Sequence, residues 1–169
     1  EPVYECLSIV KTQLNSDKAL IGFAGGPFTI AAYMIEGKGS NKFSKCVSFF
    51  NNYEKTFLNL LKKLEIFISN HLIKQIEAGA EAVQIFESHA RIAAQKNKFR
   101  EFCIEPNNNI IKNIKKKYPH IPIIGFPRNV DALYPDYVKN VNIDCLSVDQ
   151  SINIKKLLDN LIINKGRNI

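Results

Sequence analysis

The chain has 169 residues, a formal net charge of +7 and a hydrophobic share of 46%, which fits one domain with a real core. Its lysines are dispersed and no aromatic platform accompanies them, so the sequence predicts no nucleic-acid partner, although a mildly positive field would draw in a polycarboxylate. No stretch comes near the 18 or so apolar residues of a membrane span and no signal-peptide pattern occurs, so we expect a soluble, cytoplasmic chain without a membrane partner.

The first half of the chain alternates helical and strand patterns. A strand over 20–24 runs into a Gly25-Gly26-Pro27 turn, where the glycines permit positive φ and close backbone approach and the proline suits the first turn of a helix. Gly79 is placed to end a long amphipathic helix. The helices predicted here cover 3–14, 28–36, 42–50 and about 53–78.

The second half continues the alternation. We predict strands over 83–86, 121–126 and 144–148, and helices over about 98–117, from Asp131 and over 152–163. Strands separated by such helices imply parallel βαβ units, and their near-continuous apolar character predicts burial on both faces. A full (β/α)₈ barrel takes about 250 residues, so this chain would supply half of one. A doubly wound open sheet is the alternative that periodicity leaves open.

The segment from Gly22 to Ser40 carries the most specific motif of the chain. It reads Gly-Phe-Ala-Gly-Gly-Pro-Phe-Thr-Ile-Ala-Ala-Tyr-Met-Ile-Glu-Gly-Lys-Gly-Ser. This strand, turn and helix closely resemble the corresponding motif of the uroporphyrinogen decarboxylase family. Tyr33 matches that family's active-site tyrosine, whose hydroxyl supports the catalytic acid and helps to hold the substrate. An ordinary core tyrosine is the alternative, since a buried phenol also needs a hydrogen-bond partner.

A second motif, Gly79 to Ala90, strengthens the resemblance. It reads Gly-Ala-Glu-Ala-Val-Gln-Ile-Phe-Glu-Ser-His-Ala, and Ser88 matches the family's substrate-binding serine at the carboxyl end of a strand. The other role expected for Ser88 is the N-cap of a following helix, and the two roles are compatible. Weaker matches follow at 123–126 and 144–149, and the resemblance covers roughly 1–158. It implies a single-domain TIM barrel, of which residues 1–169 would form a partial barrel domain.

Several charged residues and a histidine near these motifs are weaker candidates. We expect His89 to be a packing or polar wall residue rather than a catalytic base. Arg91 stands where the family usually has glycine, so it either pairs with a substrate carboxylate or crowds a turn that needs glycine. Mouth positions, or simply solvated loop charges, are expected for Glu36, Lys38, Arg128 and Asp149.

The resemblance implies a carboxy-lyase of haem and porphyrin biosynthesis. Such an enzyme removes the four acetate carboxyl groups of uroporphyrinogen, giving coproporphyrinogen without a cofactor. The family's central aspartate, its arginine-rich loop and a late histidine match nothing in this chain. Because Glu1 enters a helical pattern without an initiator methionine, we expect a longer protein entered midway.

The same residues leave other hypotheses about function open. One alternative is a noncatalytic fragment or pseudoenzyme of the family. Another is a corrinoid-linked methyltransferase of the same superfamily. Such an enzyme needs thiolate and histidine ligands for zinc, and the sequence has no His-x-Cys pair to supply them. Unpaired sheet edges predict aggregation, pairing with another fragment or a homodimer. Cys6, Cys46, Cys103 and Cys145 form no C-x-x-C pair, so we expect reduced thiols and no metal site.

Overall fold

The computed structural model describes residues 1–165 of the chain, with side chains to residue 161. The four strands are β1 Ile21–Gly25, β2 Ala82–Glu87, β3 Ile123–Pro127 and β4 Cys145–Leu146. The α-helices are α1 Pro2–Gln13, α2 Pro27–Glu36, α3 Ser44–Asn52, α4 Glu54–Glu77, α5 Ala90–Gln95, α6 Glu105–Lys117, α7 Tyr134–Asn140 and α8 Ile154–Lys165. A π-helical turn, Arg100–Ile104, leads into α6, and a 3₁₀ turn, Asp131–Leu133, leads into α7.

The four strands form one parallel sheet in the order β1-β2-β3-β4. Phe86 of β2 lies opposite Gly25 on one side and Phe126 on the other. A doubly wound sheet reverses its strand order at a switch point, whereas a barrel adds each strand next to the preceding one. The unreversed order therefore confirms the α/β class and favours part of a TIM barrel over the doubly wound alternative.

Among the described residues, helices cover one face of this sheet and leave the other open. Val83, Ile85 and Glu87 of β2 are buried, whereas Phe23 of β1 is 62% exposed on the other face. On that open face Phe86 makes edge-to-face contacts with Phe23 and Phe126, with ring centroids 5.8 and 5.7 Å apart. The predicted burial on both faces is therefore wrong for these residues. In a complete barrel, the side chains on the inner face of the sheet pack against those of the other strands rather than against helices.

The core lies between the sheet and the helices α2, α4 and α6. Phe102, carried by the π-helical turn, stacks on Phe28 at 5.9 Å and contacts Phe57 at 4.9 Å between ring centroids. The long helix α4 presents a continuous buried stripe because its apolar residues recur every three or four positions. That stripe consists of Phe57, Leu61, Leu64, Ile68, Leu72 and Ile76.

The sequence patterns predict most helix and strand boundaries to within two or three residues of those in the structure. Gly79 has φ of +112° just beyond α4, as its predicted role as a helix stop requires. Helix α5 was not predicted, because six residues carry too little periodicity to register. Strand β4 is shorter than the predicted 144–148, since only two of its residues pair with β3. Residues 166–169 lie outside the described part of the chain.

The free edge of β1 is partly closed by a side chain. The Gln75 amide of α4 donates to the Phe23 carbonyl at 2.8 Å, and its oxygen accepts the Phe23 N–H at 2.9 Å. Gly22 leaves the room for this contact, because a Cβ there would lie 2.8 Å from the Gln75 oxygen. The edge that the sequence predicts to be unpaired is therefore satisfied at this residue.

Within the described residues all four cysteines are free thiols. Burial, followed by the nearby Glu36 carboxylate, raises the pKa of Cys46 to about 12, and burial followed by Glu87 raises the pKa of Cys103. Both thiols are therefore protonated and unreactive at neutral pH. The same part of the chain holds no cluster of three metal-ligating side chains and no helix with the length and apolarity to cross a bilayer.

Candidate functional site

The buried carboxyl group of Glu87, at the end of β2, organises the carboxyl end of the sheet. It is fully buried and accepts hydrogen bonds from Phe28 N at 3.3 Å, Thr29 N at 3.0 Å and Thr29 Oγ1 at 2.8 Å. These donors belong to the first turn of α2, where backbone N–H groups lack partners within the helix and favour a negative charge. Glu87 thereby fixes the start of α2 against the end of β2.

Gly26 makes this contact possible. A glycine permits both positive φ and close backbone approach, and the structure uses only the second, because the φ of Gly26 is −71°. A Cβ at Gly26 would lie 2.3 Å from Cδ and Oε1 of Glu87. Gly25 is also absent from the glycines with positive φ among the described residues. The turn therefore needs glycine for space and not for its backbone freedom.

Burial raises the pKa of the Glu87 carboxyl to about 7, while the hydrogen bonds from Thr29 and Phe28 oppose that rise. A carboxyl group with such a pKa changes charge near neutral pH. Glu87 lies at the end of β2, one residue before Ser88.

Tyr33 and Ser88, the two residues predicted from separate motifs, lie at the same end of the sheet. The His89 N–H donates to Thr29 Oγ1 at 3.3 Å, which ties α2 to the segment after β2. The His89 ring packs against Tyr33 at 4.9 Å and against Phe43 at 4.3 Å between ring centroids. Tyr33 is 45% exposed, and its hydroxyl has no hydrogen-bond partner among the described residues. The core-tyrosine alternative is therefore wrong.

His89 packs against Tyr33 and lines the cleft together with Ser88. Burial, then the Arg128 and Arg91 guanidinium groups, hold the pKa of His89 below its usual value. The imidazole is therefore neutral at pH 7. Its Nε2 atom is buried and has no hydrogen-bond partner in the described structure. These contacts fit the expected packing role of His89.

Ser88 lines a cleft of about 200 Å³ at the ends of β2 and β3. Polar and cationic residues dominate its walls, among them Ser40, His89, Arg91, Arg128 and Asn129. Helix α5 has His89 at its N-cap position and no side-chain cap bond, so the expected N-cap role of Ser88 is wrong. Ser88 lines the cleft instead.

Arg91 does not disturb the backbone. It lies exposed in the first turn of α5 and is not among the non-glycine residues with positive φ. The expectation that it crowds a turn needing glycine is therefore wrong, because the chain continues there as ordinary helix. Arg91 therefore contributes a guanidinium group to the cleft that Ser88 also lines.

The other charged mouth candidates have different roles. Glu36 accepts the N–H groups of Lys45 at 3.0 Å and Cys46 at 3.2 Å, so it caps helix α3. Lys38 is exposed and does not line the cleft. Arg128 lines the cleft from the residue after β3. The prediction of a solvated loop charge is wrong for Asp149, because this residue is only 6% exposed.

Asp149 instead joins the segments that follow β3 and β4. It accepts the Asn129 N–H at 3.0 Å, the Tyr134 hydroxyl at 2.7 Å and the Ser151 N–H at 3.0 Å. Burial alone would raise the pKa of Asp149, but the hydrogen bonds from Ser151, Tyr134 and Asn129 outweigh it and hold the pKa well below its usual value. Asp149 is therefore an ionised structural clasp beneath Asn129.

A larger cleft of about 640 Å³ lies between α3 and α5 and shares Arg91 with the smaller one. Its other walls are polar helix surfaces such as those of Ser48, Asn51 and Lys96. It lacks any residue from the end of a strand, which is where barrels carry their sites. The smaller cleft at Ser88 is therefore the candidate site.

Comparison with known proteins gives a consistent result. A family model described as uroporphyrinogen decarboxylase (URO-D) matches residues 1–167, further than the 1–158 that the motifs indicated. The uroporphyrinogen decarboxylase of Wolbachia pipientis wMel is 41% identical over 162 residues, covering 96% of this chain and 47% of the relative. The corresponding proteins of Orientia tsutsugamushi (strain Ikeda) and Rickettsia africae (strain ESF-5) are 40% and 41% identical, covering 92% and 93% of this chain and 45% of each relative. The chain spans about half the length of the curated relatives it matches.

Proposed function

This chain belongs to the uroporphyrinogen decarboxylase family, and we propose that its sheet mouth binds uroporphyrinogen for decarboxylation to coproporphyrinogen. One observation carries the proposal. Two motifs far apart in sequence place Tyr33 and Ser88 at the same carboxyl end of the sheet, joined through the His89 ring and the Thr29 hydroxyl. Barrel enzymes build their active sites at that end.

The chemistry asks the protein for electrostatic help rather than for a cofactor. Protonation of a pyrrole ring carbon turns the ring into an electron sink. The bond between the acetate methylene and its carboxylate then breaks, its electrons flow into the ring, and carbon dioxide leaves. A second proton converts the exocyclic methylene into a methyl group, and the ring carbon then releases the first proton, which restores the pyrrole. The protein has to hold the macrocycle and to stabilise the charge that develops on it.

Tyr33 and Ser88 suit two parts of this task. The Tyr33 hydroxyl is free at the mouth, so it can donate to a substrate carboxylate or support the catalytic acid. The Ser88 hydroxyl lines the cleft and can donate to a second carboxylate. The phenylalanine row of Phe23, Phe86 and Phe126 offers an apolar surface for the macrocycle beside them. An apolar surrounding strengthens such polar contacts by excluding water.

The alternatives differ in what they predict. A noncatalytic member of the family would bind the tetrapyrrole without releasing carbon dioxide. The relatives reported above carry the decarboxylase name, which favours decarboxylation over corrinoid-linked methyl transfer.

The test is an anaerobic assay of the full product of this gene with uroporphyrinogen, with the products separated by carboxyl number. We expect the series from eight to four carboxyl groups, and a KM raised about tenfold in Ser88→Ala, since a hydrogen bond to a charged group contributes about 1.5–3 kcal/mol. Ser16→Ala is the matched control, because Ser16 is exposed and does not line the cleft. Tetrapyrrole binding without product would favour the noncatalytic alternative, and an unchanged KM in Ser88→Ala would remove Ser88 from the site.

A further inference from the structure

Two arginines face the cleft at Ser88 without a negative partner. Neither the Arg91 nor the Arg128 guanidinium forms an ion pair or a side-chain hydrogen bond within the described residues, whereas Arg100 pairs with Glu105 at 3.7 Å. Both guanidinium groups act on the same imidazole, since each helps to lower the pKa of His89. Two cations thus converge on one wall of the cleft with no counter-charge.

The rest of the cleft is also suited to an anion. Ser88 and Asn129 add hydroxyl and amide groups, and no carboxylate side chain is among the lining residues. The two buried acids of the described residues already have hydrogen-bond donors, Glu87 from the start of α2 and Asp149 from Asn129, Tyr134 and Ser151. They do not neutralise the arginines through contact.

The size of the cleft limits what it can hold. Its volume is about 200 Å³, below the roughly 300–1,000 Å³ of pockets that enclose whole ligands of drug size. A tetrapyrrole macrocycle does not fit, but one acidic side arm does. The mouth beyond it, next to Tyr33 and the phenylalanine row, is open to the ring that would bear the arm.

We propose that Arg91, Arg128 and Ser88 form a carboxylate-binding subsite that takes one acidic arm of the tetrapyrrole while the ring lies at the mouth. This inference rests on the proposed function and adds two residues to the site. Arginine is suited to the task because its planar guanidinium group binds a carboxylate through two parallel hydrogen bonds.

The experiment is a fluorescence titration of uroporphyrin, the oxidised octacarboxylate, with wild type, Arg91→Gln, Arg128→Gln and the double variant. Each single change removes one charge-assisted contact, so we expect about tenfold weaker binding for each. Arg91→Lys should recover part of the loss, because it keeps the charge but not the paired hydrogen bonds. Lys112→Gln is the matched control, since Lys112 is exposed on α6 and its substitution also removes one positive charge.

The outcomes separate the two claims. Equal binding by wild type and by both arginine variants would overturn the subsite and leave the proposed function standing. Failure of wild type to bind uroporphyrin would overturn the proposed function and the subsite with it. A competition with succinate and with inorganic phosphate tests the ligand class, because displacement at lower phosphate than succinate concentration would identify a phosphate site instead. Unchanged melting temperatures of the variants show that they remain folded.

Discussion

The contact between Gly26 and Glu87 makes a quantitative prediction about the frame of the site. In Gly26→Ala the added Cβ would lie 2.3 Å from the Glu87 carboxyl group, so the carboxyl has to move. It then loses the Phe28 and Thr29 donors that it now accepts from. Alanine is compatible with φ of −71°, so the cost comes from crowding and lost hydrogen bonds alone.

The expected loss is sizeable. Overpacking costs about 1–3 kcal/mol, and each buried donor left unpaired costs at least about 1 kcal/mol. We therefore expect Gly26→Ala to lower the free energy of unfolding by about 3 kcal/mol. For a chain of this size that corresponds to a melting temperature lower by about 6–12 °C.

Urea and thermal unfolding followed by circular dichroism measure this loss. Gly39→Ala is the control, because its Cβ would meet nothing within 4 Å and its φ is not in the left-handed region. A double-mutant cycle with Glu87→Ala isolates the contact, since Gly26→Ala should cost less than about 0.5 kcal/mol once the carboxyl is gone. Equal stability of Gly26→Ala and Gly39→Ala would refute the reasoning.

Two further predictions concern pH. The folded pKa of Glu87 is raised from 4.5 to about 7, so its contribution to stability is greatest below pH 4.5 and declines as the pH rises to 7. Relative to Glu87→Gln, wild type should lose up to about 3 kcal/mol over that range in urea unfolding, and parallel pH profiles would contradict this. The folded pKa of Asp149 is lowered from 3.8, so its contribution is present above pH 3.8 and declines as the pH falls below that value. Asp149→Asn should therefore cost about 1–3 kcal/mol at pH 7, with a gap that narrows in acid, and an equal gap at both pH values would argue against an ionised clasp.

Periodicity predicted most helices and strands because their apolar spacing is a local property of the chain. The stripe from Phe57 to Ile76 specifies a helix whatever surrounds it. The apolar pattern of the strands could not show what covers the second face of the sheet. Phe23 and Phe86 are as apolar as buried residues, but the described chain leaves Phe23 open.

The candidate site shows a similar division. Tyr33 and Ser88 were predicted because each lies in a long motif, and the strand-end position follows from the βα pattern. Glu87 was missed because its partners, Phe28 and Thr29, lie far away in sequence. The missing side chain at Gly26 was the available signal, but it was also compatible with positive φ. The fate of Arg91 depended on whether a helix follows Ser88, and six residues were too few to predict α5.

The central claim is that Tyr33 serves the decarboxylation of a tetrapyrrole held at this mouth. The most direct measurement compares the rate of carbon dioxide release from uroporphyrinogen in Tyr33→Phe and Tyr53→Phe variants of the full gene product. Tyr53 is a matched control because it is 61% exposed and its ring packs on Phe49, whereas the Tyr33 ring packs on His89. We expect kcat to fall about 10- to 100-fold in Tyr33→Phe, as loss of a hydrogen bond to a charged group implies, and to stay unchanged in Tyr53→Phe. A wild-type kcat in Tyr33→Phe would contradict the account.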